Sequence, residues 1–556
     1  MYNFFDYFQD RKDWLSSKWL ILGKGPSFSE LNIYSTDDYK LLGLNHVVCN
    51  QKLDLLHAID IEVIEDCSES ILENAKHVVV PWIPHVRYRP FPFLKEIRFR
   101  PSDKTLEDYC QDIAVLKILQ SEGRLLWYNL CTSPRIKPTN TPTVRVFGFS
   151  STAAINLLSL AGIKKIRSLG VDGGKTYSSN FSHLRQKTLL VAGQQNYNSQ
   201  FQEIANTIMN HKIDFAPLNV DSPIKIYVGT SKEQMLAFKV LEYSILKHAS
   251  MTVEVVPLFD AIDKACIDIP VPKEHKLRAR TPFSFQRFAI PELNSYQGRA
   301  IYLDSDMLVF RDIKELWVSP FNGAQLLTVR EPMGSARKSQ FSVMVVNCQE
   351  LTWNIGDLIR KLELGTWSYE EFVYEMAPAE IISNALPAQW NDLERYNSVT
   401  TSLTHFTDMN NQPWLATNNV HAYIWFEYLF EALEKQFISL DFVISEVNKG
   451  NVRPSILNQI DTKISDPLLL SPELIKKDVL EFVSPHNRSE VINSVIMSHV
   501  ISPNIGRAII KTYAVLRYFY QTSGLKKLLV RVFDSKRYLN LINLADLFHR
   551  KLRKKL

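Results

Sequence analysis

"AIYLDSDMLVF" (residues 300–310) places two aspartates inside an otherwise apolar run. Ile301, Tyr302 and Leu303 before them, and Met307, Leu308, Val309 and Phe310 after them, read as a buried strand. Burying an unpaired carboxylate costs on the order of several kcal/mol. Asp304 and Asp306 therefore need a counter-cation, a metal, or exposure at a strand end. Alternate side chains of an extended chain share a face, so the two carboxylates would converge about 7 Å apart. A hard divalent ion such as Mg2+ or Mn2+ suits these oxygens and keeps room for water and substrate phosphates. In the other reading Ser305 and Asp306 lie in a loop, where their side chains cap a turn.

The totals bound what surrounds this stretch. A chain of 556 residues exceeds one core and predicts two or three domains, and 46% hydrophobic with 22% charged residues is an ordinary folded composition. No window approaches 18 uninterrupted apolar residues, so no transmembrane helix is predicted. The start, "MYNFFDYFQDRKDWLSSKW", lacks a charged-then-apolar signal layout, and the six cysteines form no CxxC pair. Both features predict a cytoplasmic protein with reduced thiols and no zinc site.

The pattern divides the chain into three segments. Residues 1–218 alternate apolar runs with helical stretches: "WLILG" (19–23), "HVVV" (77–80), "VRVFGF" (144–149) and "IRSLGVD" (166–172). "LNVDSPI" (218–224) marks a boundary, and a domain over 222–450 again alternates, from "KIYVGT" (225–230) through "MTVEVVPL" to "FSVMVVNC" (341–348). Residues 451–556 are helical in pattern and basic at the end. The predicted class is α/β: two Rossmann-like nucleotide-binding domains plus a helical, basic C-terminal tail.

"FSFQRFAIPEL" and "GRAIYLDSDMLVFRDIKELW" (283–317), with "IYVGTSKEQMLAFKVLEYSI" (226–245), "LPAQWN" (386–391) and "HFTDMNNQPW" (405–414), resemble family 8 glycosyltransferases, retaining enzymes of the GT-A fold. The resemblance implies that Asp304, Asp306 and His405 hold Mn2+ or Mg2+ bridging the phosphates of a UDP- or GDP-sugar. It implies Arg287 beside the D-x-D and donor, Gly229 and Thr230 near base and ribose, and Gln412 and Trp414 near the diphosphate. Two departures stand out. Gln412 occupies the place of a lysine, supplying hydrogen bonds without charge. Phe341-Ser342-Val343 replaces the small turn of the sugar pocket, which leaves the sugar open.

In the N-terminal segment "WLILGKGPSFSEL" (19–31) reads as strand, Gly-rich turn and helix, with Gly23 and Gly25 admitting a ligand to the backbone and Ser27 as cap. A plain βα turn explains the same residues. Ser150 and Ser151 open a second helix, and "LGVDGG" (169–174) supplies a third loop. Loops at the carboxyl ends of parallel strands suit a nucleotide crevice. "GKGPS", "GLN" (43–45), "SST" and "LGVDGG" resemble sialyltransferase-like, Kdo-transferase-like and MptE-like proteins. That resemblance implies that Gly25, Pro26, Ser27 and Asn45 contact a cytidine nucleotide, with Ser150 and Ser151 near its phosphate. It also implies a catalytic His183 facing the leaving phosphate. A noncatalytic acceptor-binding module and a pyrophosphokinase-like activity are the alternatives for this half.

From Gly506 to Leu556 the chain has 13 Lys and Arg against two Asp, a charge of +11, so with +5 overall the remainder carries about −6. Mixed with Leu, Ile, Phe and Tyr, these cations suit an anionic membrane surface at roughly 1 kcal/mol each, or a solvated face of packed helices. No nucleic-acid recognition motif accompanies them. Together the expectation is a bacterial-type glycosyltransferase, metal-dependent and retaining, acting on a cell-surface glycan or glycolipid precursor. It would be cytoplasmic, peripheral on the inner face of the plasma membrane, with a second, CMP-sugar-using domain at the N-terminus. The rival is a glycan-binding or assembly scaffold with degenerate transferase domains.

Overall fold

The computed structural model describes residues 1–88, 98–146, 148–187, 194–281, 283–329 and 341–488. The chain falls into two compact units: Met1–Gly229 with Ser244–Asp304 and Val309–Trp390, and Thr230–Tyr243 with Ser305–Leu308 and the residues from Asn391 on.

The first unit is mixed α/β and, among the described residues, holds two large sheets and a two-stranded ribbon, His85–Tyr88 with Arg98–Pro101. Among the described residues the larger has nine strands. Its path runs Tyr2–Asn3, Leu125–Leu130, Ala75–Pro81, Leu53–His57, Tyr39–Leu44, Lys18–Leu22, Lys165–Leu169, Asp214–Pro217, with every printed neighbour parallel. A parallel sheet is covered on both faces, so its strands read as unbroken apolar runs. In "KWLIL" Leu20 and Leu22 enter one core while Trp19 and Ile21 enter the other. Chain order reverses between Lys18–Leu22 and Lys165–Leu169, which makes the crevice beyond their carboxyl ends a topological switch point.

The second sheet has the order Val253–Pro257, Ile224–Gly229, Arg299–Asp304, Val343–Asn347, Leu326–Val329, Ile382–Leu386. It is mixed: Arg299–Asp304 runs parallel to Ile224–Gly229 and antiparallel to Val343–Asn347. Thr252 joins the edges of the two sheets. Its amide donates to the Phe215 carbonyl at 2.7 Å and its hydroxyl accepts from the Phe215 amide at 2.7 Å. Two strand edges that would otherwise expose polar backbone are thereby closed on one another.

The second unit is mainly helical, with Ala422–Glu434, Leu440–Asn448, Ile456–Thr462 and Pro472–Glu481. It carries a small sheet ordered Met307–Val309, Leu403–His405, Asp392–Leu393. Trp414, Trp425 and Phe426 are buried in its core.

Three expectations change. The run 300–310 is two strands in different sheets, Arg299–Asp304 and Met307–Val309, so the aspartates flank a bend rather than sharing one pleat. Of "VRVFGF" (144–149) only Val144, in the strand Thr143–Val144, stands in a strand among the described residues. The stretch after Gly25 is a 3-10 helix, Pro26–Ile33, whose turns leave no α-helical amide cradle, and Ser27 makes no cap. The basic tail lies outside the described residues. Among the described residues no helix is long and apolar enough to cross a membrane.

Candidate active site

Asp304 ends its strand in register with Gly229. Two residues earlier the Tyr302 hydroxyl donates to Asp304 Oδ1 at 2.6 Å. A Cβ on Gly229 would stand 2.2 Å from that hydroxyl oxygen, so glycine is what lets Tyr302 lie across the strand end. The buried Arg287 guanidinium sits over the Tyr302 ring, 5.1 Å from its centroid, and Nη1 reaches the Phe341 carbonyl at 3.5 Å. Phe341 holds a left-handed backbone, φ 51°.

Asp306 is fixed by its backbone and by two side chains. Its carbonyl accepts from the Phe406 amide at 2.8 Å, which ties the bend to the strand carrying His405. His405 Nε2 lies 3.0 Å from Asp306 Oδ1, and its Nδ1 lies 3.0 Å from Asn391 Oδ1. With Asn391 as acceptor Nδ1 carries a proton, and Nε2 faces the carboxylate either as a second N–H donor or with a lone pair for an ion. Gln412, 1% exposed, donates from Nε2 to Asp306 Oδ2 at 2.9 Å and to the Phe406 carbonyl at 3.1 Å.

One ligand atom each from Asp304, Asp306 and His405 lies within 4.8 Å of the others. Two carboxylates and an imidazole form a hard, net-negative donor set, which fits a divalent ion. A lone-pair nitrogen and a carboxylate oxygen 3.0 Å apart repel unless a proton or cation is shared. Neighbouring ligands of an octahedral ion at about 2.1 Å are themselves about 3 Å apart. The residues present fit the ion that the sequence implies.

A separate cavity of about 490 Å3 opens at the switch point of the large sheet. Gly23, Lys24 and Gly25 form one wall, Gly170 to Gly173 the next, and Ser150 and Ser151 a third. Asn45, also in the wall, has φ 54°; its Nδ2 donates to Ser150 Oγ at 3.2 Å, while its buried Oδ1 has no partner. Asparagine tolerates the left-handed region, whereas a buried amide oxygen without a partner among the described residues is costly unless a ligand donates to it. Burial and neighbouring Glu62 push the Asp60 carboxyl up to about 7, against Lys24 and Arg87. Burial lowers Lys24 to about 8 against the pull of Asp60, and His85 to about 4. All three line the cavity.

Several expected contacts lie elsewhere. The Gly23 and Gly25 amides donate to the Leu169 and Gly170 carbonyls at 2.7 and 2.8 Å, so they are occupied by the neighbouring loop. A Cβ on Gly25 would meet Asp172 Oδ2 at 2.6 Å, a crowding by protein rather than ligand. Ser27 is spent on Asp172, Oγ to Oδ1 at 2.5 Å and amide to Oδ2 at 2.7 Å, and neither it nor the exposed Pro26 lines the cavity. His183 is exposed in the 3-10 segment Ser179–Lys187 and is absent from the cavity wall. Trp414 is 1% exposed, its ring tilted on Trp425 at 5.4 Å, which makes it a core residue. Thr230 is fully buried.

Sequence reading missed Tyr302, Asn391, Lys24 and Asp60. Tyr302 and Asn391 stood inside the quoted stretches; a polar atom on an apolar strand and an amide closing "LPAQWN" were the available signals. Asp60 follows "LDLLHAI" as an acid at a strand's carboxyl end.

Residues 189–417 match the family model described as Glycosyl transferase family 8. "Protein CDI" of Arabidopsis thaliana is 38% identical over 94 residues, 17% of this chain and 36% of that protein. The chain thus spans about a third of the length of this curated relative. The apo-form glycosyltransferase GlyE of Streptococcus pneumoniae TIGR4 is 15% identical, covering 39% of this chain and 64% of that one, at a TM-score of 0.29. The bifunctional glycosyltransferase WbbM, in its apo structure, is 11% identical over 76% of this chain and 99% of its own, at 0.28. At such scores the family match alone bears on identity.

Proposed function

We propose that this chain, whose residues 189–417 match the Glycosyl transferase family 8 model, transfers a sugar from a UDP- or GDP-sugar to a glycan or glycolipid acceptor with retention. The observation that carries this reading is the approach of Asp304, Asp306 and His405 to within 4.8 Å. Asp304, Asp306 and His405 would hold Mn2+ or Mg2+, whose charge would offset that developing on a departing diphosphate. The chain's own groups orient the site. Tyr302 holds one oxygen of Asp304, Asn391 turns His405, Gln412 holds Asp306, and Arg287 places a cation beside Tyr302. The acceptor hydroxyl attacks from the face the diphosphate leaves, and no protein nucleophile is assigned.

The N-terminal cavity is the second nucleotide site in this proposal. Asn45, Ser150, Ser151 and Lys24 supply donors and charge for a nucleoside monophosphate, the leaving group of a CMP-sugar. The basic segment after Gly506 supports work at the inner face of a bacterial plasma membrane, on a surface polysaccharide or its lipid-linked precursor.

Gln412 favours a second reading, a glycan-binding scaffold with degenerate sites, because a neutral amide stands where a cation would face a diphosphate. Thermal stabilisation of the full chain decides between them, since a ligand that binds only the folded state raises its midpoint. A Mn2+-dependent shift with one UDP- or GDP-sugar, lost in Asp304→Asn, supports the transferase. A CMP response that survives Asp304→Asn and is lost in Asn45→Ala supports the second site. No shift with any nucleotide supports the scaffold.

A further inference from the structure

The segment after the family 8 match carries a buried ion pair. Arg453 is fully buried and Asp478, on the helix Pro472–Glu481, is 6% exposed; Nη1 and Oδ2 are 3.5 Å apart. Asp478 also accepts from the Ser455 amide at 2.9 Å and from the Ser455 hydroxyl, while Arg453 donates to Ser455 and Gln459. The guanidinium lies over the Phe426 ring, 5.2 Å from its centroid.

The remaining donors of Arg453 point at one short turn. Its backbone amide donates to the Trp414 carbonyl at 3.0 Å, and Nε donates to the Pro413 carbonyl at 3.3 Å. That turn opens at Gln412, whose carbonyl accepts from the Leu415 and Ala416 amides at 2.9 Å each. Gln412 is also the residue whose side chain holds Asp306. Packed apolar residues often replace a buried ion pair at no loss of stability, so stability by itself is a weak account of this one. What a guanidinium supplies and an apolar group does not is direction: a donor, Nε, fixed on the Pro413 carbonyl.

We propose that Arg453 and Asp478 are positioning residues for the metal site: Asp478 holds the guanidinium, whose Nε holds the Pro413 carbonyl, so that Gln412 keeps the Asp306 carboxylate oriented for the ion. The proposal rests on the metal-site reading above. Groups behind metal ligands commonly change affinity when removed, which sets the size of the effect.

The test is Mn2+ affinity of the full chain, read by electron paramagnetic resonance of free Mn2+ with no sugar donor present. The double variant Arg453→Met with Asp478→Leu removes the charges and keeps the volume. It is expected to bind Mn2+ about ten-fold more weakly and to unfold at a lower midpoint than wild type, because the Ser455 amide and the Pro413 and Gln459 oxygens lose partners. In a Gln412→Ala background the same pair is expected to change affinity by less than two-fold, because the path runs through Gln412. Equal Mn2+ affinity of wild type and folded double variant overturns the positioning role, as does an undiminished loss in the Gln412→Ala background. Should the double variant not fold, Arg453→Lys keeps the charge and loses the Nε contact; unchanged affinity there overturns the role equally. Absence of Mn2+ binding by the wild type overturns the metal-site reading itself.

Discussion

Gln412 Nε2 lies 2.9 Å from Asp306 Oδ2, with the Phe406 carbonyl 3.1 Å from the same nitrogen. One neutral amide thus spends both of its donors on the bend and on the strand that carries His405. Hydrogen bonds to charged groups contribute about 1.5–3 kcal/mol. Gln412→Leu is therefore expected to lower kcat/KM about ten-fold or more at fixed Mn2+, with the loss partly recovered at higher Mn2+. A Mn2+ titration of turnover in the two proteins measures this, and unchanged activity would show that Asp306 needs no such support.

Asn391 faces His405 Nδ1 at 3.0 Å, so its influence on an ion held by Asp304, Asp306 and His405 would pass through that ring. Asn391→Ala frees the ring to change tautomer and rotate, and the expected cost is about ten- to a hundred-fold in Mn2+ affinity. Asn391→Asp still accepts from Nδ1 and should recover most of it. Equal binding by all three proteins would remove Asn391 from the account.

Gly229 and Tyr302 are coupled by space. A Cβ at 229 would lie 2.2 Å from the Tyr302 hydroxyl oxygen, and overpacking of this kind costs about 1–3 kcal/mol. Gly229→Ala should lower the urea midpoint, and adding Tyr302→Phe should restore part of it by removing the clashing atom. Denaturation of the single and double variants measures the coupling; strict additivity would mean the two do not touch.

The N-terminal cavity carries its own pH dependence. Asp60, held up near 7, is neutral below that pH and anionic above it, and Lys24, held down near 8, loses its charge on the same upward path. Both changes make the cavity more negative as pH rises, with Glu62 and Arg87 as the charged neighbours of Asp60. CMP binding, followed by calorimetry, is expected to weaken from pH 6.5 to 9 at about that range of ionisations. Asp60→Asn should flatten the lower limb and move the upper one to lower pH, because the Asp60 charge holds Lys24 up. A profile identical in both proteins would rule Asp60 out.

Much of the site was legible before any coordinates. The Asp304–Asp306 pair, the βα punctuation of the first segment and the three glycine- or serine-bearing loops are local patterns, and local sterics write them into short stretches. The six-residue strand Arg299–Asp304 and the helix Ser150–Leu160 stand where those patterns point. The partners are a different matter. Ser27 is claimed by Asp172, 145 positions away, and Gln412 by Asp306, 106 positions away.

Sequence alone determined which residues could carry this chemistry: two carboxylates one residue apart, a histidine followed by Gln-Pro-Trp, and Gly-rich turns after apolar runs. Tertiary structure decided which of them face one another. It sent Trp414 to a core, spent the Gly23 and Gly25 amides on a neighbouring loop, left His183 outside the cavity and brought Asp60 and Lys24 into it. The reason is physical. Side-chain alternation and turn conformation depend on residues a few positions apart, whereas hydrogen bonds and desolvation depend on which distant segments the chain packs together.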